Sequence, residues 1–213
     1  MQQEVRRICG QITYLPTTLE PLSADVFFIE SDDAVFIYDV GSCVAARERI
    51  EGITKDKIIV LSHFHADHTD NLLKIHFKEL YAGRETIKHM GFGVQVIGET
   101  VLRADIPIRL VPLPSSHAKG CVVLCYGREY AFCGDALYTG DKRFFRGDGA
   151  EHVVKSVYNA QKLKEMIGIL KGIDVKYFVL SHEEFPIRPK GEVIRSLELV
   201  YEGWVKDGPY III

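Results

Sequence analysis

The sequence predicts an α/β fold in which two β-sheets pack face to face with helices outside. Two observations predict it: apolar runs of strand length alternate with helix-length segments, and this strand-then-helix style occurs roughly twice along the chain. Composition agrees with one domain over 1–213, because 213 residues with 47% hydrophobic and 26% charged side chains can bury one sizeable core and fall short of two. Neither a low-complexity linker nor a solenoid period interrupts the chain.

Residues 11–15, 26–30 and 34–39 read as consecutive strands of a meander, the last two joined by the turn-forming Ser31-Asp32-Asp33. A short helix is expected over 43–50 and a buried apolar strand over 57–61. Thr69 can cap a helix running to about 77, because Leu72, Leu73, Ile75, His76 and Phe77 supply an apolar face near helical spacing. A short strand over 79–82 and a helix over 84–90 follow, after which Gly91, Gly93 and Gly98 mark a loop or hairpin. The second half starts with strands over 108–113, 121–126 and 130–133, with Gly127-Arg128-Glu129 as a hairpin turn. The longest helix is expected over 151–170, then a strand over 175–180 and a final helix over 189–204, before Pro209.

Charge and cysteine usage narrow the function classes. A net charge of −3 gives no general attraction to phosphate backbones or anionic membranes, so no nucleic acid or membrane partner is expected. Residues 1–22 lack a continuous apolar core, and no run approaches the roughly 20 apolar residues of a membrane helix, so the expected location is the cytoplasm. Cys9, Cys43, Cys121, Cys125 and Cys133 are odd in number and match no CxxC framework, which predicts reduced thiols. Cys121 and Cys125 could pair as ligands only on a helix, and Val122 and Val123 between them favour a strand.

The chemistry concentrates in Ser62-His63-Phe64-His65-Ala66-Asp67-His68, directly after an apolar strand. At this chain's composition, three histidines and an aspartate in that pattern arise by chance roughly once in a thousand sequences. His63 and His65 alternate, so both imidazoles can emerge on one side of an extended segment, while Asp67 and His68 follow as the backbone turns. Imidazole and carboxylate suit zinc, and also iron or manganese. Three further candidates stand where a predicted strand ends: His117 in Pro114-Ser115-Ser116-His117, Asp135 in Cys133-Gly134-Asp135, and His182 in Leu180-Ser181-His182. Five of the eight histidines thus fall at strand ends, whereas His76, His89 and His152 read as surface or packing residues.

This ordered set, HxHxDH followed by a later His, an Asp after Gly and a final His, resembles the motifs of the metallo-β-lactamase superfamily over nearly the whole chain. The resemblance implies a four-layer αββα sandwich. It also implies a binuclear centre of two Zn2+, with His63, His65 and His117 on one ion, Asp67, His68 and His182 on the other, and Asp135 bridging. A bridging hydroxide would attack the substrate, and Asp67 and Asp135 would serve the reaction as ligands rather than as separate general bases. Asp39-Val40-Gly41 resembles the family's first motif, whose aspartate supports the metal loop from behind.

Within the superfamily, Asp135-Ala136-Leu137-Tyr138 followed by Arg143-Phe144-Phe145-Arg146-Gly147 is similar to glyoxalase II-like thioesterases, which makes Tyr138 and Arg143 candidate pocket residues. Asp135 argues against true β-lactamases, and a small-molecule thioester or ester is the expected substrate, with lactones fitting nearly as well. With 31 residues after His182, the helical C-terminal domain of glyoxalase II is not expected. A phosphodiesterase or nuclease of the same fold, a di-iron oxidoreductase and a non-catalytic binding protein remain as alternatives, and the oligomeric state stays open.

Overall fold

The computed structural model describes residues 3–103, 107–113, 116–139, 153–154 and 160–207. Among these, a seven-stranded sheet runs in the order Arg6–Cys9, Ile12–Leu15, Val26–Glu30, Ala34–Tyr38, Asp56–Leu61, Glu79–Gly83 and Val94–Val96. Its first four strands are an antiparallel meander, and its last three are joined in parallel through helical connections. A six-stranded sheet takes Thr100–Arg103, Ile108–Leu113, Cys121–Tyr126, Tyr130–Phe132, Tyr177–Val179 and Ile187–Pro189 in that order. Its one parallel pair, Tyr130–Phe132 with Tyr177–Val179, is bridged by the helix Ala160–Gly172.

Period-2 alternation sorts the side chains into layers. Along Ala34–Tyr38, Val35 and Ile37 join a core beneath the helix Val44–Glu51, while Phe36 and Tyr38 join Phe27, Val122, Leu124 and Phe132 between the sheets. On the far side, Val123, Cys125, Ala131 and Phe178 pack against Leu163, Met166 and Leu170 of Ala160–Gly172 and Val193 and Leu197 of Lys190–Asp207. Three apolar layers between four structural layers are the αββα sandwich the sequence implied. All five cysteines are free; Cys121 and Cys125 lie on a strand, and burial pushes both thiols up to about 12.

Two expectations are corrected. The helix expected over 69–77 is a single turn, Ala66–Thr69, followed by the 3-10 turn Leu72–Lys74. Asn71 interrupts it: its backbone N–H bonds the Gly41 carbonyl, and its side-chain amide donates to the Val40 and Cys43 carbonyls, so tertiary bonds replace helical ones. The helix expected from 151 starts among the described residues at Ala160, because Val153–Val154 pairs in extended form with Tyr138–Thr139. The strand Arg6–Cys9 on the sheet edge was not expected, and the segment after Gly91 leaves the first sheet with Val94–Val96 and enters the second with Thr100–Arg103.

Candidate metal centre

The two sheets meet where the Val122 N–H bonds the Ser62 carbonyl at 2.9 Å, one residue beyond the strand Asp56–Leu61. At that edge the turn carrying His65 to His68 is pinned by backbone bonds from Ala24 N–H to the Asp67 carbonyl and from Val40 N–H to the His68 carbonyl. Asp135 enters from the opposite sheet on a 3-10 turn, and only glycine fits the preceding position. Gly134 has φ +50°, and a Cβ there would stand 2.5 Å from the Ser62 Cβ.

All seven candidates converge. His63, His65, His117 and Asp135 each aim one ligand atom into a cluster no wider than 4.8 Å, and Asp67, His68, Asp135 and His182 do the same alongside. His65 Nδ1 lies 2.9 Å from His63 Nε2 and 3.0 Å from His117 Nε2. Asp135 Oδ2 faces this group, 3.6 Å from His117 Nε2 and 3.9 Å from His63 Nε2. Its other oxygen, Oδ1, faces the second group, 3.1 Å from His68 Nε2 and 3.4 Å from His182 Nε2. Asp67 Oδ2 closes that group at 3.2 Å from His182 Nε2 and 3.4 Å from His68 Nε2.

Supporting hydrogen bonds decide which imidazole nitrogen is offered. Asp39 Oδ1 accepts the Ser62 backbone N–H at 2.7 Å, and Oδ2 accepts both the Ser62 hydroxyl and His68 Nδ1–H at 2.7 Å. Since the Ser62 hydroxyl is spent on Asp39, its oxygen accepts from His63 Nδ1–H at 2.9 Å. One carboxylate thereby turns Nε2 of both His63 and His68 inward, where each ring offers a lone pair once it is neutral. His182 is set in the same way from the first sheet: Thr17 donates its hydroxyl to the Ser23 carbonyl and so accepts from His182 Nδ1–H at 3.0 Å.

Asp25 fixes the backbone behind that contact. It is 1% exposed, and its two oxygens accept the Thr17 N–H at 2.9 Å and the His182 N–H at 2.8 Å, holding His182 at φ +56°. No sequence motif points to the supporting roles of Thr17, Asp25 and Ser62. The available signal for Asp25 was an acid at the mouth of the wholly apolar run Val26-Phe27-Phe28-Ile29, a place where a charge stays only with partners. Asp25→Ala is expected to weaken metal binding on the His182 side about 10- to 100-fold while leaving the His63 side unchanged, read by titration against a competing chelator. Equal weakening of both sides would contradict this division.

Electrostatics differ between the two groups. Burial, aided by the neighbouring His68, pushes the His63 imidazole down to about 2, and burial also lowers His117. Burial opposes charge on His182 and His68 as well, but carboxylates outweigh it: Asp135 and Asp67 raise His182 to about 9, and Asp39 and Asp135 raise His68 well above the ordinary imidazole value. Burial would likewise raise Asp135, yet His182 and His68 hold it below the usual carboxylate range.

These donors fit a cation. His68 Nε2 and Asp135 Oδ1 are buried 3.1 Å apart, and neither completes a hydrogen bond among the described residues, a need that a metal ion taking the place of the imidazole proton would meet. Metal uptake near neutral pH is expected to release about one to two protons per chain from His182 and His68, since a coordinating imidazole must be neutral. Release should shrink as pH rises towards 9, the value to which His182 is raised. Calorimetry of zinc binding in buffers of different ionisation enthalpy counts these protons; uptake without release would contradict the charge assignment.

Tyr138 is described in its backbone only, and Arg143 lies outside the described residues, as does His152. His76 is exposed beside Glu51, as a surface residue should be. His89 stacks on Phe64 with ring centroids 4.7 Å apart, beside the centre rather than in it.

An αββα sandwich that gathers five histidines and two aspartates from the ends of strands in both sheets defines a protein built around a metal site. The chain belongs to the metallo-beta-lactamase superfamily, whose family pattern matches residues 19–182. It is 25% identical over 189 residues, 80% of this chain and 78% of the relative, to proteins named hydroxyacylglutathione hydrolase from Actinobacillus pleuropneumoniae serotype 5b (strain L20) and serotype 3 (strain JL03). Its fold is similar to crystal structures of VMB-1 (TM-score 0.69, 15% identity, 96% of this chain and 98% of that one) and of DIM-1 metallo-beta-lactamase (TM-score 0.69, 13% identity, 95% and 98%). A metallo beta lactamase from Erythrobacter litoralis matches at TM-score 0.66 and 15% identity over 94% of this chain and 97% of its own.

Proposed function

We propose that this chain is a binuclear metal-dependent hydrolase of small thioesters or esters. The observation that carries the reading is Asp135, whose Oδ2 faces His63 and His117 while its Oδ1 faces His68 and His182. His63, His65 and His117 would hold one ion and Asp67, His68 and His182 the other, shared through Asp135. Zinc is the expected metal, and iron or manganese suits the same donors. A divalent pair so bound lowers the pKa of water from 15.7 to about 7 and polarises a carbonyl oxygen.

The chain's own contribution is to hold the donors ready. Asp39 and Ser62 orient His63 and His68, and Thr17 and Asp25 orient His182, so little reorganisation opposes binding. Asp67 and Asp135 act as ligands, their lone pairs being committed there. In the overall reaction a water oxygen adds to the acyl carbon, the C–S or C–O bond breaks, and a proton ends on the departing thiol or alcohol. The relatives named hydroxyacylglutathione hydrolase support a thioester as the substrate class. We assign this activity to one domain, 1–213, acting in the cytoplasm on small molecules, with no nucleic acid or membrane partner. No helix among the described residues is long and apolar enough to cross a membrane.

The test is hydrolysis of a panel of thioesters, lactones and phosphodiesters by zinc-loaded protein, by chelated protein and after zinc is returned. Thioester or lactone turnover that is lost and restored is expected. Turnover that survives complete metal removal, or turnover of phosphodiesters alone, would overturn the reading.

A further inference from the structure

The helix Arg84–Met90 is set against the loop after His117 by two glycines that touch. A Cβ on Gly83 would fall 1.8 Å from the Gly120 carbonyl oxygen, and Gly120, at φ +78°, would place its own 3.1 Å from the Glu85 nitrogen. No larger residue permits this approach. Between the two segments lies a groove of about 340 Å³ whose lining includes the candidate ligands His65 and His117, so it opens directly onto the centre.

The groove's other residues have a consistent chemistry. Phe64 and His89 form a stacked pair, 4.7 Å between centroids with planes 24° apart, offering a flat surface to an organic chain. Glu85, Lys88 and His89 stand at i, i+3 and i+4 on one helix face, and Lys119 projects from the facing loop. Lys88 has only a long 3.9 Å contact with Glu85, and Lys119 has no ion pair among the described residues. Two lysines against one glutamate leave the groove with an excess of positive charge beyond whatever the metals supply.

We propose that this groove is a subsite for a carboxylate-bearing arm of the substrate. The arm's carbon chain lies on the Phe64–His89 stack, its carboxylate pairs with the Lys119 and Lys88 ammonium groups, and the scissile carbonyl is thereby delivered to the His65–His117 side of the centre. The substrate class becomes an anionic acyl compound, a refinement that rests on the hydrolase reading above. Phe64, unassigned by the metal motif it interrupts, and His89 acquire a role as the platform.

The test compares a matched ester pair, p-nitrophenyl hydrogen glutarate and the neutral p-nitrophenyl pentanoate, on the zinc-loaded protein and on its Lys88→Ala/Lys119→Ala variant. Lysine pairs of this exposure support a preference of about fivefold in kcat/KM for the anionic ester. The double variant should abolish that preference by raising KM for the anionic ester alone, and Lys88→Arg/Lys119→Arg should retain it. Binding of the uncleavable amide N-phenylglutaramic acid, against neutral N-phenylpentanamide, is measured in parallel by calorimetry. Lysine-dependent binding of the anionic amide without any ester turnover would uphold the subsite and sink the hydrolase reading. Turnover of both esters with the same ratio in wild type and variant would uphold the hydrolase and overturn the subsite, and so would amide binding indifferent to the lysines.

Discussion

Asp135→Ala is expected to cut metal content from two ions per chain to one or fewer, and to reduce hydrolysis about a thousandfold or more. No other described side chain presents one oxygen to each of the two groups. The loss should also be visible without metal. His182 is raised to about 9 by Asp135 and Asp67 together, so removing Asp135 should bring it down towards its ordinary value, a change that NMR titration of the metal-free variant reads directly. A variant that keeps two ions and wild-type turnover would mean that the two groups do not share a bridge.

Asp39→Ala is expected to damage both stability and metal binding. Asp39 is buried and accepts three donors, the Ser62 N–H, the Ser62 hydroxyl and His68 Nδ1–H, on residues that are themselves buried. Leaving such groups unpaired costs about 3–5 kcal/mol, which for a chain of this length lowers the melting temperature by about 10 °C. Ser62 and His68 then lose their fixed orientation, and binding on the His68 side should weaken by a further 10- to 100-fold, as is common on removing a ligand's supporting partner. Urea unfolding of the metal-free protein separates the two effects. If metal affinity falls with unchanged unfolding, Asp39 acts on the ion alone, and the buried-network account fails.

The seven candidate ligands were legible because their residue types recur where predicted strands stop, a pattern carried by local sequence. Asp39 was legible only through the resemblance of Asp39-Val40-Gly41 to a family motif, since an aspartate after a strand reads by itself as a turn residue. Thr17, Asp25 and Ser62 were not, because each acts through hydrogen bonds whose partners are set by the fold; Asp25 and His182 are 157 residues apart. The four-layer arrangement could be anticipated from strand and helix rhythm, yet the helix expected over 69–77 gave way to Asn71, whose bonds to Gly41, Val40 and Cys43 outcompete local propensity. His89 shows the converse. Its place on a polar helix face said nothing of the groove, which exists because Gly83 and Gly120 bring that helix to His117.

The two clusters around Asp135 are two metal sites only if each of them holds an ion. Elemental analysis by mass spectrometry, on protein purified without chelator and without added metal, counts those ions. Close to two zinc ions per chain in the wild type, with one or fewer in Asp135→Ala, is the predicted result; two irons would keep the binuclear site while moving the chemistry towards redox. Protein that folds, resists added zinc and retains no metal of any kind would mean that neither cluster is a metal site.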